Sequence, residues 1–77
     1  MKKRAAQKGA TRLGATLGAR LLTLREARGL TRAEVARRAA VTAMYVYLIE
    51  SGRKTNPSLD VLRRLATALD VPAALLL

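Results

Sequence analysis

Apolar residues in this chain recur at helical spacing in short blocks, and no stretch alternates at period two with β-branched residues. A chain patterned this way builds short packed helices and no sheet. Leu17, Leu21 and Leu24 begin the first stripe at i, i+4, i+7, with Thr16 placed to cap it and Gly29 to stop it. Thr31-Arg32-Ala33-Glu34 has the Thr-x-x-Glu spacing of a capping box, in which hydroxyl and carboxylate each accept the other residue's amide proton. Val35, Ala36 and Ala39 then form one stripe. After a break at Ala40-Val41, Thr42 caps a third helix with Val46 and Ile49 on one face. Ser51 to Pro57 reads as a polar loop, with Gly for positive φ and Pro as a stop. Ser58 caps a fourth helix carrying Leu59, Leu62, Leu65, Ala66 and Leu69, and Asp70 is expected to cap a short fifth with Pro72 in its first turn. The predicted fold is all-α, five short helices. Its core is Leu17, Leu21, Leu24, Leu30, Val35, Ala36, Ala39, Val46, Ile49, Leu59, Leu62, Leu65, Leu69, Val71 and Leu76.

At 77 residues the chain is one domain, near the lower limit for a core that stands without staples. It has no Cys and no His, so disulfides, thiolate metal sites and nucleophile–His catalysis are excluded, and no cofactor is expected. Five scattered acids leave little for general acid–base work, so an enzyme is not expected. The formal charge of +10 calls for a polyanionic partner, nucleic acid or an anionic membrane surface. Lys2, Lys3, Arg4, Lys8 and Arg12 place five cations and no acid in residues 1–12, a basic arm without apolar periodicity, and residues 13–77 keep the other half of the charge. The arm either follows a DNA groove or is a tail that raises local charge. Its start lacks the apolar stretch of a secretory signal, and an acid-free basic start is also compatible with a transit peptide. Ala39 to Ile49, the longest uncharged apolar stretch, is far short of the roughly 20 residues of a membrane span. A soluble, cytoplasmic protein is expected.

Two short helices, Thr31–Ala39 and Thr42–Ser51, separated by a tight turn have the spacing of a helix-turn-helix. Around them stand Leu17-Gly18-Ala19-Arg20-Leu21, Leu24-Arg25, Arg28-Gly29-Leu30-Thr31, Glu34-Val35-Ala36, Val41-Thr42, Ile49-Glu50-Ser51-Gly52, Asn56-Pro57-Ser58-Leu59 and Leu65-Ala66-Thr67-Ala68-Leu69. Together these resemble the lambda-repressor-like, Xre-type DNA-binding domain over residues 17 to 77. The resemblance implies a five-helix domain that binds double-stranded DNA as a homodimer, with its third helix in the major groove.

By position in that family, Arg32 stands where Gln often holds a phosphate at a helix start, and Arg25 and Glu50 match an ion pair linking the first helix to the third. Ser51, Arg53, Lys54 and Asn56 are placed for further phosphate contacts. Thr42, Ala43, Met44, Tyr47 and Leu48 occupy the base-facing positions. Those places usually carry hydrogen-bonding side chains, and here they carry mostly hydrocarbon, which at most contacts thymine methyls. Three readings of the third helix stay open: core, DNA contact led by phosphates and shape, or a protein-binding face. Ala40 departs from the Gly common at the turn. Arg37, Arg38, Arg63 and Arg64 read as solvated helix faces. Ala74 and Leu75 replace acids usual in the family, so Leu75 and Leu77 are left for a two-fold contact.

The expected function is a transcriptional regulator, a repressor acting by occupancy on a palindromic operator. The alternative is a protein-interaction module, an antitoxin or an adaptor on the transcription machinery. No small-molecule ligand is expected.

Overall fold

A computed structural model describes residues 14–77 of the chain. Among these residues are four α-helices, α1 (Gly14–Ala27), α2 (Arg32–Ala39), α3 (Ala43–Glu50) and α4 (Leu59–Leu69), then one 3₁₀ turn, Ala73–Leu75. No strand occurs among the described residues. The capping signals at Thr31, Thr42 and Ser58 operate as the sequence predicts. Thr31 Oγ1 accepts the Glu34 amide at 3.1 Å while the Thr31 amide donates to Glu34 Oε1 at 2.8 Å. Thr42 and Ser58 accept the amides of Tyr45 and Val61, at 2.9 and 3.1 Å.

Three expectations about elements are corrected. The first helix begins at Gly14, so Thr16 lies inside it; one Thr does not interrupt a segment that Ala15 and the following leucines favour as helix. The predicted fifth helix is a single 3₁₀ turn. Asp70 does not cap that turn's start. It ends α4 in the left-handed conformation (φ 59°), a region Asp tolerates, and Pro72 precedes the turn. The basic arm, with Lys2, Lys3, Arg4, Lys8 and Arg12, lies outside the described residues.

The core gathers where α2 packs against both α3 and α4, α1 crosses α3, and the last turn closes on α4. Leu21, Val35, Val46, Ile49, Leu65 and Leu69 are its largest fully buried side chains. Ala36, Ala39, Ala66, Ala68 and Leu76 complete it, and Leu17, Leu24, Leu30, Leu62 and Val71 pack against it half-buried. Leu59 is a correction: it is 47% exposed, because it opens α4 at the end of the stripe, beyond the neighbours that cover Leu62 and Leu65. Gly18 explains the close crossing of α1 over α3. A Cβ there would stand 2.4 Å from the Ile49 carbonyl oxygen and 2.8 Å from that of Glu50.

The turn between α2 and α3 is made by Ala40 at φ 60°, ψ 43°. This left-handed conformation lets the Val41 amide donate back to the Ala36 carbonyl at 3.0 Å, satisfying the end of α2. An L-residue with a Cβ is held there at a cost of about 1 kcal/mol.

Candidate nucleic-acid interface

The end of α3 is tied to the rest of the domain by one carboxylate. Glu50, its side chain only 2% exposed, accepts Arg25 Nε at Oε2 (2.6 Å) and Arg25 Nη2 at Oε1 (3.2 Å). The Arg25 guanidinium also donates from Nη1 to the Leu30 carbonyl at 2.9 Å, so α1, the α1–α2 loop and α3 meet at one planar group. The Glu50 hydrogen bonds push the Arg25 guanidinium above its ordinary range, against the opposing effect of burial. The sequence-predicted pair is therefore present in the structure.

Arg32 joins the same carboxylate. Its Nε donates to Glu50 Oε1 at 2.8 Å, and its Cζ lies 5.3 Å from the centre of the Tyr47 ring. Nε is thus committed inward, while the two terminal nitrogens belong to a side chain still 44% exposed. That arrangement sets an exposed guanidinium at the first turn of α2, beside an aromatic on α3. The pairing of Arg32 with Glu50 and Tyr47 was not foreseen from the sequence; Arg32 lies on α2 and Tyr47 and Glu50 on α3, and only the fold joins them.

On α3, Met44 is 63% and Tyr47 38% exposed, and Thr42 and Ala43 are exposed. Val46 and Ile49 are buried and Tyr45 is half-buried against the core. Leu48 is half-buried, less outward than its helical position predicts. Its carbonyl collects three donors: Ser51 Oγ at 3.1 Å and the amides of Arg53 and Lys54 at 3.0 and 2.9 Å. With Gly52 at φ 84°, these bonds fold the chain tightly past α3 and bring Arg53 and Lys54 beside its C-terminal end. Arg53 and Asn56 are exposed and Lys54 half-buried. Ser51 already gives its proton to Leu48, and the Thr42 oxygen already accepts Tyr45, so each meets a further partner with only its other hydrogen-bonding capacity.

Two more arginines hold the frame in ways the sequence did not announce. Arg28 donates from Nε to the Leu69 carbonyl (2.8 Å) and from Nη2 to that of Asp70 (3.0 Å), a cation at the C-terminus of α4. Arg20 Nη1 reaches the Leu75 carbonyl at 3.3 Å. Leu75 and Leu77 are 45% and 64% exposed, and a groove of about 510 Å³ runs beside them between α1 and the last turn, lined by Ala19, Arg20, Thr23, Leu24, Ala74 and Leu75.

The arrangement of α2, the three-residue turn and an outward-facing α3 is matched by a family model described as a helix-turn-helix domain, over residues 16–77. The chain belongs to this helix-turn-helix family. Its lambda-repressor-like, Xre-type character agrees with a solved structure, the crystal structure of the restriction-modification controller protein C.AhdI from Aeromonas hydrophila. The two chains are 36% identical with a TM-score of 0.78, over 83% of this chain and 96% of that one. No curated protein sequence is similar enough to count as a relative. No helix among the described residues of this helix-turn-helix domain is long and apolar enough to cross a membrane.

Proposed function

We propose that this helix-turn-helix domain is a double-stranded DNA-binding transcription regulator, and that it represses by occupancy, as a homodimer on a palindromic operator. The observation that carries the reading is the Arg32–Glu50–Tyr47 group, which holds a half-exposed guanidinium beside the exposed face of α3. Arg32 at the start of α2 and Arg53, Lys54 and Asn56 in the loop after α3 flank that face and would hold phosphates on either side of a groove. Ala43, Met44 and Tyr47 would then meet base edges, with thymine methyls the natural partners of the Ala and Met side chains. Leu75 and Leu77, with the groove beside them, would supply the two-fold contact. The similar C.AhdI is a restriction-modification controller protein, which supports regulation as the class of function. The cell compartment that follows is the cytoplasm, at the nucleoid.

The test is selection from a random duplex library at about 0.15 M salt. Enrichment of a palindrome with half-sites about one helical turn apart is the expected outcome. Retention without enrichment would sink operator recognition and leave a general DNA binder. A second reading, a protein-binding face, is favoured by Met44, whose 63% exposure is unusual for a large apolar side chain. Loss of all duplex binding in the wild-type chain would shift the assignment to it.

A further inference from the structure

The cations of the described residues divide by what they hold. Arg25 and Arg32 share Glu50, Arg28 holds the end of α4, and Arg20 reaches Leu75. Arg53 and Lys54 stand after α3. The others, Arg37, Arg38, Arg63 and Arg64, are all on α2 and α4 and all exposed. The densest exposed positive charge is therefore away from the recognition helix.

Local geometry brings three of these four together. Burial of Leu65, Ala66, Ala68 and Leu69 turns Asp60, Arg63, Arg64 and Thr67 to the outer face of α4. Arg38, in the last turn of α2, reaches across to the Ala68 carbonyl at 3.4 Å. Its guanidinium then lines a shallow notch of about 180 Å³ with Arg63, Arg64 and Thr67. Three like charges around one notch repel each other unless an anion enters. Two acids stand near these cations: Asp60, 75% exposed and 3.4 Å from Arg64, where water screens it, and Glu34, one turn before Arg38 on α2 and already engaged in the capping box with Thr31. The notch lies where α2 meets α4, whereas the exposed α3 side chains stand on a helix that packs against α2 and scarcely touches α4.

The lining also indicates what fits. Its residues are three arginines and one threonine, whose guanidinium and hydroxyl groups can donate to phosphate oxygens, and arginine forks engage such oxygens in pairs. The centre of a protein interface instead calls for aromatic and apolar side chains, and none lines this notch. We infer that the α2–α4 face holds the phosphate backbone of a second DNA segment, distinct from the one against α3. A molecule with both faces bridges two duplexes, or two stretches of one, in a salt-dependent way that does not read sequence.

The experiment uses the full chain, a bead-bound random-sequence duplex and a second, fluorescent duplex. Because bridging rests on the α3 reading, binding to the bead-bound duplex is measured first. A wild-type chain that fails to bind it overturns both readings, and one that binds it without holding the second duplex overturns only the second face. Wild-type chain is expected to retain the second duplex. The triple variant R38Q/R63Q/R64Q should lose that retention about tenfold or more and bind the first duplex within about twofold of wild type. The three side chains are exposed, so the variant should melt like wild type, which a thermal scan checks. Bridging that persists in the variant would assign it to the two α3 faces of a dimer and overturn the proposal. So would a variant that binds the first duplex with a salt slope shallower by about 0.9 per arginine, which would put these residues on the same duplex as α3. Binding of polyglutamate by wild type and not the variant, without bridging, would reassign the face to an acidic protein.

Discussion

Glu50 carries two jobs on one side chain, and they separate by substitution. Glu50→Ala leaves Arg25, with its side chain 11% exposed, as a buried cation without its partner. The expected loss is about 3 kcal/mol of stability, read by urea unfolding. Arg32→Gln removes an exposed partner of the same carboxylate, so stability should change by less than about 1 kcal/mol while DNA affinity falls. Equal destabilisation by both would show that Arg32 serves the frame rather than the interface. Glu34 tests a different kind of residue-scale effect. Hydrogen bonds from the Thr31 backbone and hydroxyl hold its carboxyl below the ordinary carboxylate range. The unfolded chain therefore takes up the proton first. The capping-box contribution is present at neutral pH and is lost as pH falls from about 4.3 through the lower folded value. Glu34→Gln keeps an acceptor for Thr31 and removes the titration, so its melting temperature should decline less steeply with acid. An unchanged acid limb would mean other carboxylates dominate it.

At the scale of elements, the periodic stripes and the Thr and Ser caps were legible because they are local: each needs only the residues within one helical turn. What was not legible depended on packing between elements. Thr16 carries the same hydroxyl as Thr31 and Thr42, yet α1 runs through it; Asp70 resembles a helix start and serves as a helix end. Gly18 looked like part of a motif, and its reason, a carbonyl that would stand 2.4 Å from any Cβ, exists only once α1 lies on α3. The departure at Ala40 was legible in place, and the structure supplies its left-handed conformation. Ala40→Gly should relieve the left-handed strain, stabilising the domain by about 1 kcal/mol and raising its melting temperature by roughly 4–8 °C. A lower melting temperature would mean that the flexibility of glycine outweighs the relief.

For the molecule as a whole, the two ends of the chain's described part have different fates. The candidate interface was mostly legible as positions, because family spacing places Arg25, Glu50, Arg32 and the loop cations; the stacking of Arg32 on Tyr47 was not, since no spacing encodes it. The apolar C-terminal end was legible from Leu75 and Leu77 alone, and both are outward in the structure. If they form the two-fold contact, the wild-type chain should sediment as a dimer at roughly tens of micromolar, and Leu75→Glu/Leu77→Glu as a monomer that keeps its melting profile. A monomer in both cases would remove the homodimer. The attachment of α3 has a consequence of its own. The Thr42 cap fastens the start of the helix, the Glu50 clasp its end, and Val46 and Ile49 its inner side. Ala43 and Met44 contribute to none of these fastenings, and Tyr47 only through its ring beside Arg32, so the domain is built as a holder with an exchangeable key. Under the proposed function, new target sequences would be acquired at these positions one mutation at a time while the attachment of the helix stays in place.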